Sequence, residues 1–165
     1  MKWKKISAVL LSAAMVVTLG ACSSSSDSGS SDSGEGSGDK YRVCFVARAS
    51  ADTFAAWMTT EMQAAAEQYD DIELTCVSGE GDDNTENGLL EDCITQEYDL
   101  VIVQSNNNAA QAPYVKQLVD AGIPVITTNP TTHQSDLDGS DDDSVMEGTG
   151  TVDADPIEQA KVSAE

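Results

Sequence analysis

The side chains that do most of the covalent chemistry in proteins are scarce in this chain of 165 residues, which has one His and four Cys. His133 lies in a polar stretch with no Ser or Cys placed to form a nucleophile and base pair, so an enzyme is not expected. No G-x-x-x-x-G-K-S/T loop is present to cradle phosphates, and no G-x-G-x-x-G follows the first apolar run. Gly79-Glu80-Gly81 leads into acids that would repel a pyrophosphate, and no G-x-S-x-G elbow occurs. The acidic run from Asp136 to Asp143 has the carboxylates a hard cation wants but not the spacing that ends in a bidentate Glu; it reads as a solvated loop, with no metal or cofactor required. What remains is non-covalent chemistry: hydrogen bonds from Asp, Asn, Ser and Thr, and stacking from a few aromatic rings.

Those groups are gathered by their elements. Tyr41 to Ala47 reads as a strand, followed by a helix over about 53–69 in which Phe54, Met58, Met62, Ala65 and Tyr69 form an apolar stripe facing a sheet. Ser50 or Asp52 caps it. Ile72 to Ser78 alternates like an edge strand with one wet face, and a helix capped near Asn84 buries Leu89, Leu90, Cys93 and Ile94. Leu100 to Val103 is uninterrupted, as a central parallel strand covered on both faces would be. Asn108 caps a helix that stops at Gly122, Ile123 to Thr128 is a fourth strand, 129–144 is polar loop, 148–152 is a weak fifth strand, and a last helix begins at Pro156.

Alternation of this kind predicts an α/β fold: a doubly wound parallel sheet with right-handed crossovers and flavodoxin-like strand order. Such sheets bind ligands beyond the carboxyl ends of their strands. The loops there are 48–54, 78–83, 105–108, 129–132 and 153–155, which bring Asp52, Phe54, Asn106, Asn107, Asn108, Asn129, Asp153 and Asp155 to one edge.

Charge and composition set the chain's organisation. Lys2, Lys4 and Lys5 precede an apolar run from Ile6 to Leu19 and the small residues Gly20 and Ala21, the pattern of an export signal over 1–21. That run is too short to span a bilayer comfortably. From Cys22 onward 5 bases face all 29 acids, a charge of −24 that excludes a nucleic-acid partner and a polybasic membrane patch. Residues 22–39 follow as a tether: after Cys22 come only 9 Ser, 4 Gly and 4 acids, which bury nothing and reach about 20–25 Å as a coil. The folding domain is then 40–165. Of its thiols, Cys44 and Cys76 lie on neighbouring strands where an exported protein could bridge them; the alternative is that these two and Cys93 stay free.

Several of these pieces resemble a known family. Leu19-Gly20-Ala21-Cys22 is similar to a bacterial lipoprotein cleavage box, which makes Cys22 the lipidated first residue of the mature protein. With Lys40 to Val46, Asp52 to Met58 and Ala121 to Asn129, the chain resembles the type I periplasmic binding proteins, in the branch of ribose/galactose-like substrate-binding lipoproteins of ABC importers. The resemblance covers 40–165. It implies the first lobe of a two-lobed protein, with the second lobe beyond Glu165, and a monomer anchored by its lipid to the outer face of the membrane. The implied partners are an ABC permease and a sugar or similar polar solute; a sensing role beside a membrane signalling protein is the alternative.

The resemblance also implies site residues. Asp52 and Phe54 stand near the places of a sugar-contacting Asn and aromatic residue, and Asn108 stands where relatives have an Asp. Trp57 could stack on a sugar face or pack the first helix on the sheet; Asn106, Asn129 and Asp153 complete the candidate set.

Overall fold

The computed structural model describes residues 40–153. The expected export signal, Cys22, the expected tether, Asp155 and the helix expected from Pro156 lie outside the described residues.

Five strands form one parallel sheet in the order β2-β1-β3-β4-β5. They are β1 (Tyr41–Ala47), β2 (Ile72–Ser78), β3 (Leu100–Val103), β4 (Val125–Thr127) and β5 (Thr149–Thr151). Four helices connect them: α1 (Thr53–Ala66), α2 (Asp83–Thr95), α3 (Asn108–Asp120) and α4 (Gln134–Asp138). This is the flavodoxin-like order expected from the alternation of elements, and β2 is the edge strand its polar alternation implied.

Side-chain alternation along β1 divides the core between two faces. Cys44 and Val46 join Val101, Val103 and Val125 beneath α2 and α3, where Leu90, Val115 and Leu118 are fully buried. Burying each of these Leu side chains stabilises the fold by roughly 1.5–3 kcal/mol. Phe45, Ala47 and Ala55 form a smaller cluster beneath α1, joined by Met58, Met62, Leu74, Cys76 and Ile102.

The two faces are unequally covered. Among the described residues Leu100 and Ile102 stay half-buried on the α1 side, where the apolar run of β3 suggested full enclosure. A groove of about 220 Å³ opens there between Met62, Ala65, Tyr69, Leu100 and Ile102.

Several local expectations are corrected. Helix α1 closes at Ala66, where Gln68 and Tyr69 donate to the carbonyls of Ala65 and Ala66 in a tight final turn. Its inward face is Ala55, Met58 and Met62, whereas Phe54 and Tyr69 point outward. Asp82, not Asn84, caps α2 by accepting from the Thr85 N–H at 2.8 Å. The cap position of α3 is Asn107, and Asn108 is the first helical residue. The 129–144 stretch is not wholly loop. It contains α4, whose start is held by the His133 N–H donating to Asp136 Oδ2 at 2.7 Å, and an isolated antiparallel bridge joins His133 to Val145. Among the described residues no group of three His, Cys, Asp or Glu converges as metal ligands would.

The described cysteines are unbridged. In register, Cys44 lies opposite Thr75, and Phe45 opposite Cys76. A one-residue offset sends side chains to opposite faces of a sheet, so a Cys44 to Cys76 disulfide is ruled out by the pleat.

Gly122, at φ 82°, ends α3 as the sequence indicated. Gly148 is more tightly constrained. It combines φ 83° with a position where an added Cβ would lie 2.5 Å from Val119 Cγ1. Gly148→Ala is therefore expected to destabilise the domain by at least about 2 kcal/mol, because strain and overlap add at one site. Urea unfolding of the two proteins checks this, and an unchanged midpoint would refute the close packing of α3 on the β5 approach.

Candidate functional site

All five strands are parallel, so their carboxyl ends open on one edge. Chain order reverses between β1 and β3: the chain runs outward to β2 on one side and to β4 and β5 on the other. A crevice forms at such a switch point. The loops flanking it carry Asp52 and Phe54 on one side and Asn106 to Asn108 on the other.

Each loop along this edge is tied to its neighbour. Between the loops after β1 and β2, Gly81 N–H donates to the Arg48 carbonyl at 2.8 Å and Ser50 Oγ donates to Glu80 at 2.9 Å. The start of α2 holds the loop after β3. Asp83 accepts from Asn106 Nδ2 at 2.8 Å and from Asn107 Nδ2 at 3.0 Å, and Glu86 Oε2 accepts the Asn106 N–H at 3.0 Å. Gln111, fully buried, accepts the Asn107 N–H at 2.8 Å and donates to Asn87. Asn108 Nδ2 then reaches the Thr131 carbonyl at 2.7 Å, and Asp153 Oδ2 accepts from both the N–H and the hydroxyl of Thr131.

The candidate residues accordingly have distinct positions. Asp52 caps α1, taking the Ala55 N–H at 2.8 Å on one oxygen and the Arg48 guanidinium at 2.8 Å on the other. The Ala55 N–H first, and then Arg48, hold its carboxyl below the usual range, so it stays ionised and paired with Arg48 at the start of α1. Phe54 and Trp57 are 38% and 54% exposed, with ring centroids 5.5 Å apart at a tilt of 47°. Neither belongs to the buried cluster beneath α1, and the two form a partly open aromatic pair at the start of that helix.

Asn106 and Asn107 present exposed amides braced by Asp83. Asn108 is the most enclosed of the three, and its Oδ1 is a buried acceptor without a partner. Asn129, at φ 42° and joined to Pro130 by a cis peptide bond, begins the loop after β4. Asp153 is an exposed residue whose carboxylate secures Thr131.

Sequence reasoning missed the polar layer beneath these loops. Glu86, Gln104, Ser105 and Thr132 are almost wholly buried, and each has at least one polar atom without a partner. One signal was available in Gly79. An added Cβ there would lie 2.8 Å from Glu86 Cβ, so the glycine marks where α2 closes on the β2 loop.

Burial is the largest cause pushing the Glu86 carboxyl up to about 7, and Asp83 adds to it; the Asn106 N–H opposes both. A carboxyl that titrates higher when folded holds its proton while the unfolded chain ionises. Its ionisation cost therefore sets in above the unfolded value of 4.5 and is complete once the pH passes about 7. Glu86→Gln removes that cost. Measured by urea unfolding, the variant should gain about 3 kcal/mol on the native protein between acid and mildly alkaline pH. Parallel stability profiles would show that Glu86 is not the group responsible.

Comparison with known proteins agrees with the fold. A family model described as a periplasmic binding protein domain matches residues 43–165. The chain is 31% identical over 128 residues to the fructose import binding protein FruE of Bifidobacterium longum, covering 77% of this chain and 37% of that one. Among solved structures, an ABC transporter solute binding protein from Bacillus halodurans with bound myo-inositol matches at TM-score 0.54 and 26% identity, over 61% of this chain and 35% of that one. The fructose-binding periplasmic domain of a hybrid two-component system matches at TM-score 0.50 and 24% identity, over 53% of this chain and 29% of that one. The chain thus spans about a third of the length of the relatives it matches.

Proposed function

Because the chain belongs to the periplasmic binding protein domain family, we propose that it is the first lobe of an extracytoplasmic sugar-binding lipoprotein that delivers its solute to an ABC importer. One observation carries the reading. The loops after β1 and β3 and the helix starts they lead into carry a fixed carboxylate on Asp52, braced amides on Asn106 and Asn107, a partnerless acceptor on Asn108 and the open Phe54 and Trp57 rings. Carboxylates and amides match the alternating donors and acceptors of vicinal hydroxyls, and aromatic faces suit the C–H side of a sugar ring. Names of the relatives lend support, since they include a fructose import binding protein and a solute binding protein with myo-inositol.

Capture would follow hinge closure, in which a ligand touching both lobes favours the closed state. The second lobe would come from the part of the relatives' length that this chain does not span. Lipid on Cys22 would hold the domain at the outer face of the membrane, with 23–39 as its tether and −24 keeping it clear of anionic headgroups.

Calorimetry against fructose, glucose, allose, ribose and myo-inositol tests the reading. The 165-residue chain alone should bind none tighter than millimolar, and the same chain joined to its second lobe should bind one at micromolar or better. In the joined protein, Asn108→Ala and Trp57→Ala should each weaken binding at least about tenfold, the loss of one good polar or stacking contact. Micromolar binding by the single lobe would overturn two-lobe capture, and joined-protein variants that bind as the parent does would overturn the site. Labelled palmitate should appear on the expressed protein and disappear with Cys22→Ser.

A sensing role is the second reading, favoured by the likeness to a domain of a hybrid two-component system. Co-purification of a permease supports import, and co-purification of a histidine kinase supports sensing.

A further inference from the structure

Cys44 and Cys93 approach each other inside the core from different layers. Cys44 projects from β1 toward the α2 and α3 side, and Cys93 lies near the end of α2. They are 1% and 2% exposed, belong to the same apolar cluster, and stand close enough that each thiol shifts the other's titration. Cys76 is separated from them by the sheet, in the cluster beneath α1.

We propose that Cys44 and Cys93 are a disulfide site that staples β1 to α2, formed by exchange with a low-molecular-weight disulfide before α2 closes over the sheet. Neither its formation nor its test requires sugar binding or a second lobe. Before α2 closes, both thiols lie in water and either can attack first, here Cys93. Cys93 gives up its proton, and its thiolate attacks one sulfur of RS–SR; that S–S bond breaks, and the departing RS⁻ takes up a proton. Cys44 then gives up its proton and attacks the Cys93 sulfur of the mixed disulfide, expelling the second RS⁻, which is protonated in turn. Two protein thiols are oxidised, and one external disulfide is reduced to two thiols.

The closed loop would contain the second half of β1, α1, β2 and most of α2, so the bond would restrict the unfolded chain. It would also fix to the sheet the helix whose Asp83 and Glu86 hold Asn106 and Asn107.

The test refolds the full chain from urea in oxidised and reduced glutathione at mildly alkaline pH, traps remaining thiols by alkylation and maps the peptides. The expected product links Cys44 to Cys93, with Cys22 and Cys76 alkylated. Its melting temperature should stand roughly 5–10 °C above that of the reduced protein, a gain that dithiothreitol removes. Cys76→Ser should keep the bond, and Cys93→Ser should lose it. A dominant link to Cys76 or Cys22 would overturn the proposal. So would four free thiols in the native chain and three in Cys76→Ser at every glutathione ratio.

Discussion

The carboxyl edge of the sheet keeps its shape because every loop on it lends a polar group to the next. Serine 50 reaches Glu80, Asp83 and Glu86 reach across to the loop after β3, Asn108 reaches Thr131, and Asp153 returns to Thr131 from the other side. Parallel strands alone would leave five independent loops, each paying its own ordering entropy. Linked in series they share that cost, and the exposed amides of Asn106 and Asn107 sit on a prepared surface. Preorganisation of this kind favours binding because less freedom is lost when a ligand arrives.

The interlock has an electrostatic cost. Glu86 lies out of water beside Asp83 in a domain already rich in acids, and only one of its oxygens has a partner. Burial of a carboxylate without full pairing disfavours its charged form, which is why this group titrates near neutrality while Asp52 and Asp82, held by backbone N–H groups, titrate low. Two kinds of carboxyl thus serve one edge: capping acids that fix helix starts with permanent charge, and a buried one that trades stability for loop position.

Much of this was legible before the fold was known. The bounds of β1, β2 and β3 and the order of the sheet followed from short apolar runs alternating with amphipathic segments, a strong pattern in a chain with no repeats. The facing of α1 was not legible, because Phe54, Ala55, Ala56, Trp57, Met58 and Met62 place apolar groups around most of its circumference and periodicity cannot choose among them. Packing chose the small Ala55 for the tightest approach and left the large rings outside. The buried polar layer of Glu86, Gln104, Gln111 and Thr132 was invisible for a different reason. Such residues usually face water, and only long-range partners, twenty or more residues away for Glu86 and Gln111, explain their burial.

The outward placement of Trp57 has a practical corollary. The chain's other tryptophan, Trp3, precedes Cys22, so a protein shortened to begin at Cys22 carries a single indole. That indole stands partly in water beside Phe54 at the head of α1. Its emission colour and quenching by iodide or acrylamide would therefore report on one known position near the start of α1, making the domain its own optical probe without any attached dye.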